Sequence, residues 1–199
     1  MTNDLVKKGY NKVAYDYESK RDQFENTKYL EKLNSLLTPN STILDIGCGA
    51  GKPVDSYFIE HGHKVIGIDI SEKMIELAKK NVPQGEYKLL DMSELKVSAY
   101  KVDAVVSFYA IFHTPRETHQ ILLNQFNSFL PKGGLMLITM GSSEWEGKEQ
   151  DFHGVEMYWS HYNSKKNHIM LEKAGFEVLL DEIDGAGNER HQVLLARKI

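Results

Sequence analysis

Glycines, carboxylates and one histidine stand at spacings that binding chemistry uses. The stretch Leu44-Asp45-Ile46-Gly47-Cys48-Gly49-Ala50-Gly51 follows a short apolar run and precedes a helical pattern. Glycines there let the backbone turn sharply and approach a ligand closely. A helix opening behind the turn offers unpaired N–H groups. A phosphate-binding P-loop would need an earlier glycine and an ending in Gly-Lys-Ser/Thr. The early position holds Ile46, and Gly51-Lys52 is followed by Pro53. A dinucleotide fingerprint would need a third glycine five places after the first. That place is Lys52, so the fit is partial. His113 follows another apolar run, Val102 to Phe108, where ligands bind in open α/β sheets. It is a candidate general base, since imidazole titrates near neutral pH.

The surrounding pattern must position these groups. Leu30, Leu33, Leu36 and Leu37 recur at helical spacing over 27–37. Strands are expected at 42–46, 64–69, 87–91, 102–108 and 135–140. Ser71 is placed to cap a helix with Met74, Ile75, Leu77 and Ala78 on its inner face. A helix over 114–130 is expected to bury Ile121, Leu122, Phe126, Phe129 and Leu130 and to turn His119 outward. A helix at 164–174, stopped by Gly175, precedes strands at 176–183 and 191–197 joined by a turn at 185–188. Strands alternating with helices predict an α/β fold, a mostly parallel sheet with helices on both faces. The last strand should be antiparallel. Residues 141–163 break the rhythm with Trp145, Phe152, His153, Met157, Tyr158, Trp159, His161 and Tyr162. That stretch is too aromatic for disorder and is expected to form a lid or substrate insert.

With 199 residues, the chain is expected to be one domain, with residues 1–25 as a helical cap. The net charge is −4 and the lysines fall in scattered pairs, so neither nucleic acid nor membrane is expected as a partner. No apolar run reaches a bilayer's span. Cys48 is the only cysteine, which excludes an internal disulfide and fits a reducing, cytoplasmic setting. Met1 to Lys8 shows no apolar signal segment. No helical histidine pair stands four apart with an acid, so no metal is expected.

Asp45-Ile46-Gly47-Cys48-Gly49-Ala50-Gly51 resembles motif I of the class I S-adenosylmethionine-dependent methyltransferases. The resemblance continues in order through Gly67-Ile68-Asp69-Ile70-Ser71, Leu90-Asp91-Met92, Asp103-Ala104-Val105-Val106-Ser107 and Leu130-Pro131-Lys132-Gly133-Gly134. It covers roughly residues 40–140 and the antiparallel tail. It implies a Rossmann-like sheet, S-adenosylmethionine as cofactor and S-adenosylhomocysteine as product. It also implies a cofactor site of Asp45, Gly47, Gly49, Gly51, Asp69, Ile70, Asp91, Met92 and Ser107. Asp69, which lies 22 residues past Gly47, would hold the ribose hydroxyls. One carboxylate accepting two hydrogen bonds suits a diol, at about 1.5–3 kcal/mol per bond. Asp69 as a helix N-cap and Asp91 as a turn-starting carboxylate remain open alternatives. Asp103 reads as structural, and Cys48 as a small apolar residue.

In similar enzymes a tyrosine-rich N-terminal helix folds over the cofactor. Tyr10, Tyr15, Tyr17 and Arg21 are candidates for that role, Tyr15 towards the cofactor and Tyr17 towards the substrate. Family members that methylate exocyclic adenine amines carry Asn/Asp-Pro-Pro-aromatic after the fourth strand. Here that place reads Ser107-Phe108-Tyr109-Ala110. Cytosine C5 enzymes need a cysteine in that region, and none is present. A small-molecule methyl acceptor at O, N or S (less favourably C) is therefore expected. Candidate acceptor contacts are Tyr17, Tyr109, His153, Tyr158, Trp159 and His161, with His113 as base. A monomer or homodimer is expected. A non-catalytic cofactor-binding protein and a nicotinamide-dependent oxidoreductase are the competing readings. Lys52 in place of glycine argues against the second.

Overall fold

Apolar runs with both faces buried make the central strands, and helices cover the two faces. The computed structural model describes residues 2–19, 27–185 and 189–199. Among these the order is α1(Thr2–Ser19), α2(Thr27–Asn34), β1(Thr42–Ile46), α3(Val54–Glu60), β2(Lys64–Asp69), α4(Glu72–Asn81), β3(Glu86–Leu89) and β4(Ala104–Ser107). There follow α5(His119–Phe129), β5(Leu135–Gly141), β6(Trp145–Phe152), β7(Val155–His161), α6(Ser164–Lys173), β8(Phe176–Asp184) and β9(His191–Lys198). The main sheet runs β3-β2-β1-β4-β5-β9-β8. Strands β1 to β5 pair in parallel, and β9 runs antiparallel to both β5 and β8. This is the expected Rossmann-like sheet. The order reverses between β1 and β4, which opens a crevice at their C-terminal ends.

Alternation along each strand sends its residues to opposite faces. Leu44, Ile46, Met136, Ile138, Leu194 and Ala196 pack with Leu122, Phe126, Met170 and Leu171 of α5 and α6. Ile43, Val106, Leu137 and Leu195 pack on the other side with Tyr29, Leu33, Val54 and Phe58 of α2 and α3. Each such fully buried side chain contributes about 1.5–3 kcal/mol. In α4, Met74, Ile75, Leu77 and Ala78 are buried, and the Ser71 hydroxyl accepts the Met74 N–H as the expected cap.

Several boundaries differ from expectation. The second helix stops at Asn34, because Leu36 and Leu37 donate to carbonyls three residues back and tighten its end. Leu36 is exposed. The third strand ends at Leu89, and Asp91 instead caps a short 3₁₀ turn by accepting the Ser93 N–H. The helix expected over 114–130 begins as a 3₁₀ turn at Arg116–Thr118 and becomes α-helical only at His119. That break changes its phase. His119 is fully buried and Ile121 is 59% exposed, the reverse of expectation. Burial lowers the His119 pKa to about 4.

The aromatic insert is a β-hairpin, β6 and β7, forming its own two-stranded sheet. His153 and Gly154 turn the chain with φ of 51° and 81°. Two consecutive positive φ values match a hairpin turn of the right-handed twist. Of the expected N-terminal cap, Met1 and residues 20–25 lie outside the described residues, Arg21 among them. So do residues 186–188 of the β8–β9 turn.

Candidate functional site

The crevice between β1 and β4 is roofed by α1, which packs in turn on the hairpin. Val6 and Val13 of α1 pack on Val155, Met157 and Tyr158 of β7. Ala14 packs on Ala50, Met74 and Leu77 beside the glycine turn. Polar clasps fix the helix. Asn3 Nδ2 donates to Asp91 Oδ2 at 2.6 Å and to Ser93 Oγ at 2.9 Å. Asn11 Oδ1 accepts from Ser71 Oγ at 2.7 Å, and Asn11 Nδ2 donates to Glu72 at 2.7 Å. At the hairpin tip His153 Nδ1 meets Asp16 Oδ2 at 2.7 Å.

Beneath this roof lies a cavity of about 270 Å³. The glycine turn contributes Asp45, Gly47, Gly49 and Lys52; β2 ends in Asp69 and Ile70; Leu90, Asp91 and Met92 follow β3. Beyond β4 come Phe108, Tyr109, Ala110, His113 and Thr114, and α1 adds Asn3, Val6, Tyr10, Tyr17, Glu18 and Ser19. The turn is built to be close-fitting. Gly47, at φ 80°, would place a Cβ 2.3 Å from Ala110 Cβ. Gly49, at φ 54°, would place one in open space. The turn is pinned to β2, since Gly47 and Cys48 both donate to the Ile68 carbonyl, at 2.8 and 3.0 Å.

Asp69 is the most constrained acid of the crevice. Its Oδ2 accepts the Gly49 N–H at 2.9 Å and its Oδ1 the Ser71 N–H at 2.8 Å. Each oxygen keeps a further lone pair for a ligand hydroxyl. Burial raises its pKa to about 6 against these two bonds. The site therefore fits S-adenosylmethionine on its own geometry. Gly49 leaves room for a close ligand, and Asp69 offers acceptors for a diol across the same gap. Removing the Asn3 clasp tests how the roof bears on this ligand. Asn3→Ala is expected to weaken S-adenosylhomocysteine binding by about 2- to 10-fold, the worth of one hydrogen bond of about 0.5–1.5 kcal/mol. Unchanged dissociation kinetics in stopped flow would remove the clasp's role.

His113 lines the same cavity and is 6% exposed. Its Nδ1 lies 2.9 Å from the Tyr158 carbonyl, which can only accept, so Nδ1 carries the proton. Its Nε2, 2.8 Å from Tyr10 Oη, then accepts the phenol's hydrogen. Burial lowers the His113 pKa to about 4, with the Tyr158 bond opposing. The imidazole is neutral at pH 7. The Trp159 ring, with its centroid 4.4 Å away, backs it.

The expected site residues divide accordingly. Asp45, Gly47, Gly49, Asp69, Ile70, Asp91, Met92, Tyr17, Tyr109 and His113 line the cavity. Gly51 does not; its positive φ shapes the turn, over Tyr87 and Asp55. Ser107 is buried in the sheet and donates to the Ile46 carbonyl at 2.8 Å. Tyr15 points outward and is 64% exposed, because the cavity stripe of α1 runs through Asn3, Val6, Tyr10 and Tyr17. Tyr158 and Trp159 stand behind His113 and serve it through a carbonyl and a ring face. His153 bridges the hairpin tip to α1, and His161 packs at the hairpin's base against Gly141 and bonds the Ser143 carbonyl. Neither reaches the cavity. Phe108 and Thr114, the ends of the stretch expected to contribute to the acceptor site, also line the cavity, whereas Asn3 and Glu18 are cavity residues that no motif marked. The i, i+7 spacing of Tyr10 and Tyr17 was the signal that Tyr15 lay off their face.

Fold and site together define a nucleotide-cofactor crevice of the methyltransferase type. A family described as "Methyltransferase domain" matches residues 43–134. A malonyl-[acyl-carrier protein] O-methyltransferase of Priestia megaterium is 29% identical over 168 residues, covering 81% of this chain and 58% of that one. A methyltransferase-named protein of Invertebrate iridescent virus 6 is 33% identical over 104 residues, covering 51% of this chain and 38% of that one. The chain thus spans about half the length of these two relatives. In structure it is similar to magnesium protoporphyrin IX methyltransferase from Synechocystis, with a TM-score of 0.79, 17% identity, and 100% and 98% of the two chains covered. Residues 43–134 belong to that methyltransferase-domain family, and the fold is that of the class I S-adenosylmethionine-dependent methyltransferases.

Proposed function

We propose that the protein transfers a methyl group from S-adenosylmethionine to an O, N or S atom of a small molecule. One observation carries the reading. The cavity that holds the glycine turn and Asp69 also holds a neutral histidine hydrogen-bonded to a tyrosine of its roof. When bound, S-adenosylmethionine supplies an electrophilic methyl on a sulfonium. The chain's residues supply the rest. Asp69 and the glycine turn would hold the cofactor's ribose, and Asp91 and Met92 would flank its base. The roof of α1 and hairpin excludes water, so alignment of acceptor and methyl carries most of the rate, worth about 7–11 kcal/mol in good cases.

Where the acceptor must lose a proton, Tyr10 and His113 form the path. The acceptor's hydrogen passes to Tyr10 Oη as the phenol's own hydrogen moves to His113 Nε2. Tyr109, Phe108 and Tyr17 would contact the acceptor. Relatives with small-molecule names support this class; one is the Burkholderia 1,6-didemethyltoxoflavin-N1-methyltransferase solved with its substrate. Within the reading the chain is one domain with α1 and the hairpin as its lid, acting in the cytoplasm as a monomer or homodimer without nucleic acid. The buried free thiol of Cys48 supports a reducing compartment. Among the described residues no helix is long and apolar enough to cross a membrane.

Calorimetric titration of S-adenosylhomocysteine, with NAD as control, tests the proposal. One-site binding in the micromolar range, about −8 kcal/mol, is expected for the first and none for the second. Binding of NAD instead, or of neither, would overturn it. Transfer of labelled methyl across thiol, amine and phenol panels then identifies the acceptor atom. Saturable cofactor binding with no acceptor found across those panels would favour a non-catalytic role.

A further inference from the structure

Behind the glycine turn lies a polar group that the mechanism above does not use. Asp55 stands in the first turn of α3 and is fully buried. Among the described residues neither of its carboxyl oxygens receives a hydrogen bond from a backbone amide, lysine or arginine. Its close neighbours are titratable. The Asp45 carboxylate of β1 and the Tyr87 phenol of β3 stand beside it. A Cβ on Gly51 would stand 3.2 Å from Tyr87 Oη and 3.4 Å from Asp55 Oδ2, so both polar atoms lie directly under the turn. Gly67 and Gly85 make the room, since a Cβ on either would strike the Tyr87 ring at under 3 Å. The Cys48 thiol is also close, with a Cβ on Gly67 only 2.9 Å from its Sγ. None of these neighbours is a cation.

Two ionised carboxylates cannot share such a site. A buried carboxylate without donors costs several kcal/mol, and a second negative charge beside it adds to that. We propose that Asp55 keeps its proton in the native protein and donates it to Asp45, making Asp55 the positioning residue for the acid that faces the cofactor. Burial and the Asp45 charge both push the Asp55 carboxyl well above the usual range. The proton on Asp55 leaves a single negative charge, on Asp45. That carboxylate lines the cavity beside Gly47. It is anchored from behind and presented to a ligand that carries positive charge. The positioning role rests on reading the cavity as an S-adenosylmethionine site; the shared proton does not.

Two variants of the full chain, Asp55→Asn and Asp55→Leu, separate these statements. The first measurement is urea unfolding of cofactor-free protein from about pH 5 to pH 8. A group protonated in the native state and ionised when unfolded loses its stabilising contribution as pH rises. The unfolding constant of wild type should therefore rise relative to that of Asp55→Asn by about tenfold per pH unit until Asp55 itself ionises. Asp69 contributes equally to both proteins and cancels. The native wild type should also show the infrared carbonyl band of a protonated carboxylic acid that Asp55→Asn lacks. Parallel pH slopes would overturn the shared proton.

The second measurement is S-adenosylhomocysteine affinity at neutral pH. Asp55→Leu has no donor for Asp45 and should bind about tenfold more weakly or worse. The amide of Asp55→Asn donates to Asp45 and should restore affinity to within about threefold of wild type. Equal affinity in both variants would overturn the positioning role. Should Asp55→Leu not fold, wild type against Asp55→Asn still decides the proton. Absence of binding by wild type would sink the cofactor reading and the positioning role together, while the pH slopes would still decide the proton.

Discussion

His113→Ala is expected to lower kcat by about 100-fold for an acceptor that loses a proton, with S-adenosylhomocysteine affinity unchanged. The size follows from general acid–base catalysis, which contributes about 10²–10⁴-fold. The selectivity follows from geometry. His113 bonds Tyr10 Oη and the Tyr158 carbonyl, while the carboxylates that fit the cofactor belong to β2 and the segment after β3. Tyr10→Phe should give a loss of the same order. The double variant should be little worse than the poorer single one, because residues acting as one path are strongly non-additive. Alanine at 113 also removes the ring that Trp159 backs, so near-ultraviolet circular dichroism should accompany the kinetics. The pH profile gives a second check. Burial holds the His113 pKa at about 4, so the base stays neutral through the physiological range. kcat should be flat from about pH 6 to pH 8 and fall only as pH approaches 4. A kcat limb centred near the ordinary histidine value, about 6.5, would contradict the buried-pair geometry. A wild-type rate in His113→Ala would remove the proton path and leave positioning alone.

Asp69→Ala should weaken cofactor binding by about 10- to 150-fold, equivalent to about 1.5–3 kcal/mol for lost hydrogen bonds to a charged group. The effect should appear in KM for S-adenosylmethionine and in S-adenosylhomocysteine affinity more than in kcat. The wild-type affinity should itself depend on pH. Asp69 has a native pKa raised to about 6 by burial. A diol donates to the ionised form, so affinity falls as pH drops through about 6, approaching tenfold per unit below it. Asp69→Ala should abolish that dependence. In the cofactor-free protein the sign is opposite. A raised native pKa gives a stabilising contribution that is complete below the unfolded value, about 3.9, and is lost as pH rises through about 6. Bound cofactor should therefore raise Tm more at pH 7.5 than at pH 5.5. Equal shifts at both values would mean that Asp69 does not meet the cofactor. Loss of the Gly49 and Ser71 bonds adds a stability cost to the variant, so affinity is measured on protein shown folded.

Much of this arrangement was legible in the residues. Strands β1 and β2 stand at the expected bounds because their apolar runs are buried on both faces and bracketed by turn residues. Cys48 packs in an apolar cluster with Ile75, Ala78, Val82 and Tyr87, and Asp103 accepts the Thr42 N–H at 2.8 Å, each in the structural role its surroundings suggested. Asp69 and Asp91 show why alternatives had to stay open. Each accepts a backbone N–H two residues on, as a turn carboxylate does, and each also lines the cavity. His119 and Ile121 were misplaced for a local reason. A 3₁₀ turn at Arg116–Thr118 resets the helical phase, and no residue type marks that reset. The hairpin was hidden because β6 is exposed along nearly its whole length, so no apolar alternation announces it.

The sequence by itself determined the strand–helix alternation, the glycine turn and the acids at the ends of β2 and β3. These are local properties, since side-chain period and backbone freedom act over a few residues. Only the tertiary structure decided which aromatic groups reach the crevice. Tyr10 and His113 are 103 positions apart and meet only because α1 crosses the sheet's C-terminal edge. The same holds for Tyr158, whose carbonyl from the hairpin sets the histidine's tautomer. The proton state of Asp55 is likewise set by burial against Asp45 and Tyr87, which come from different strands. Desolvation and hydrogen-bond partners are sums over surroundings brought together by folding, and no run of neighbouring residues encodes them.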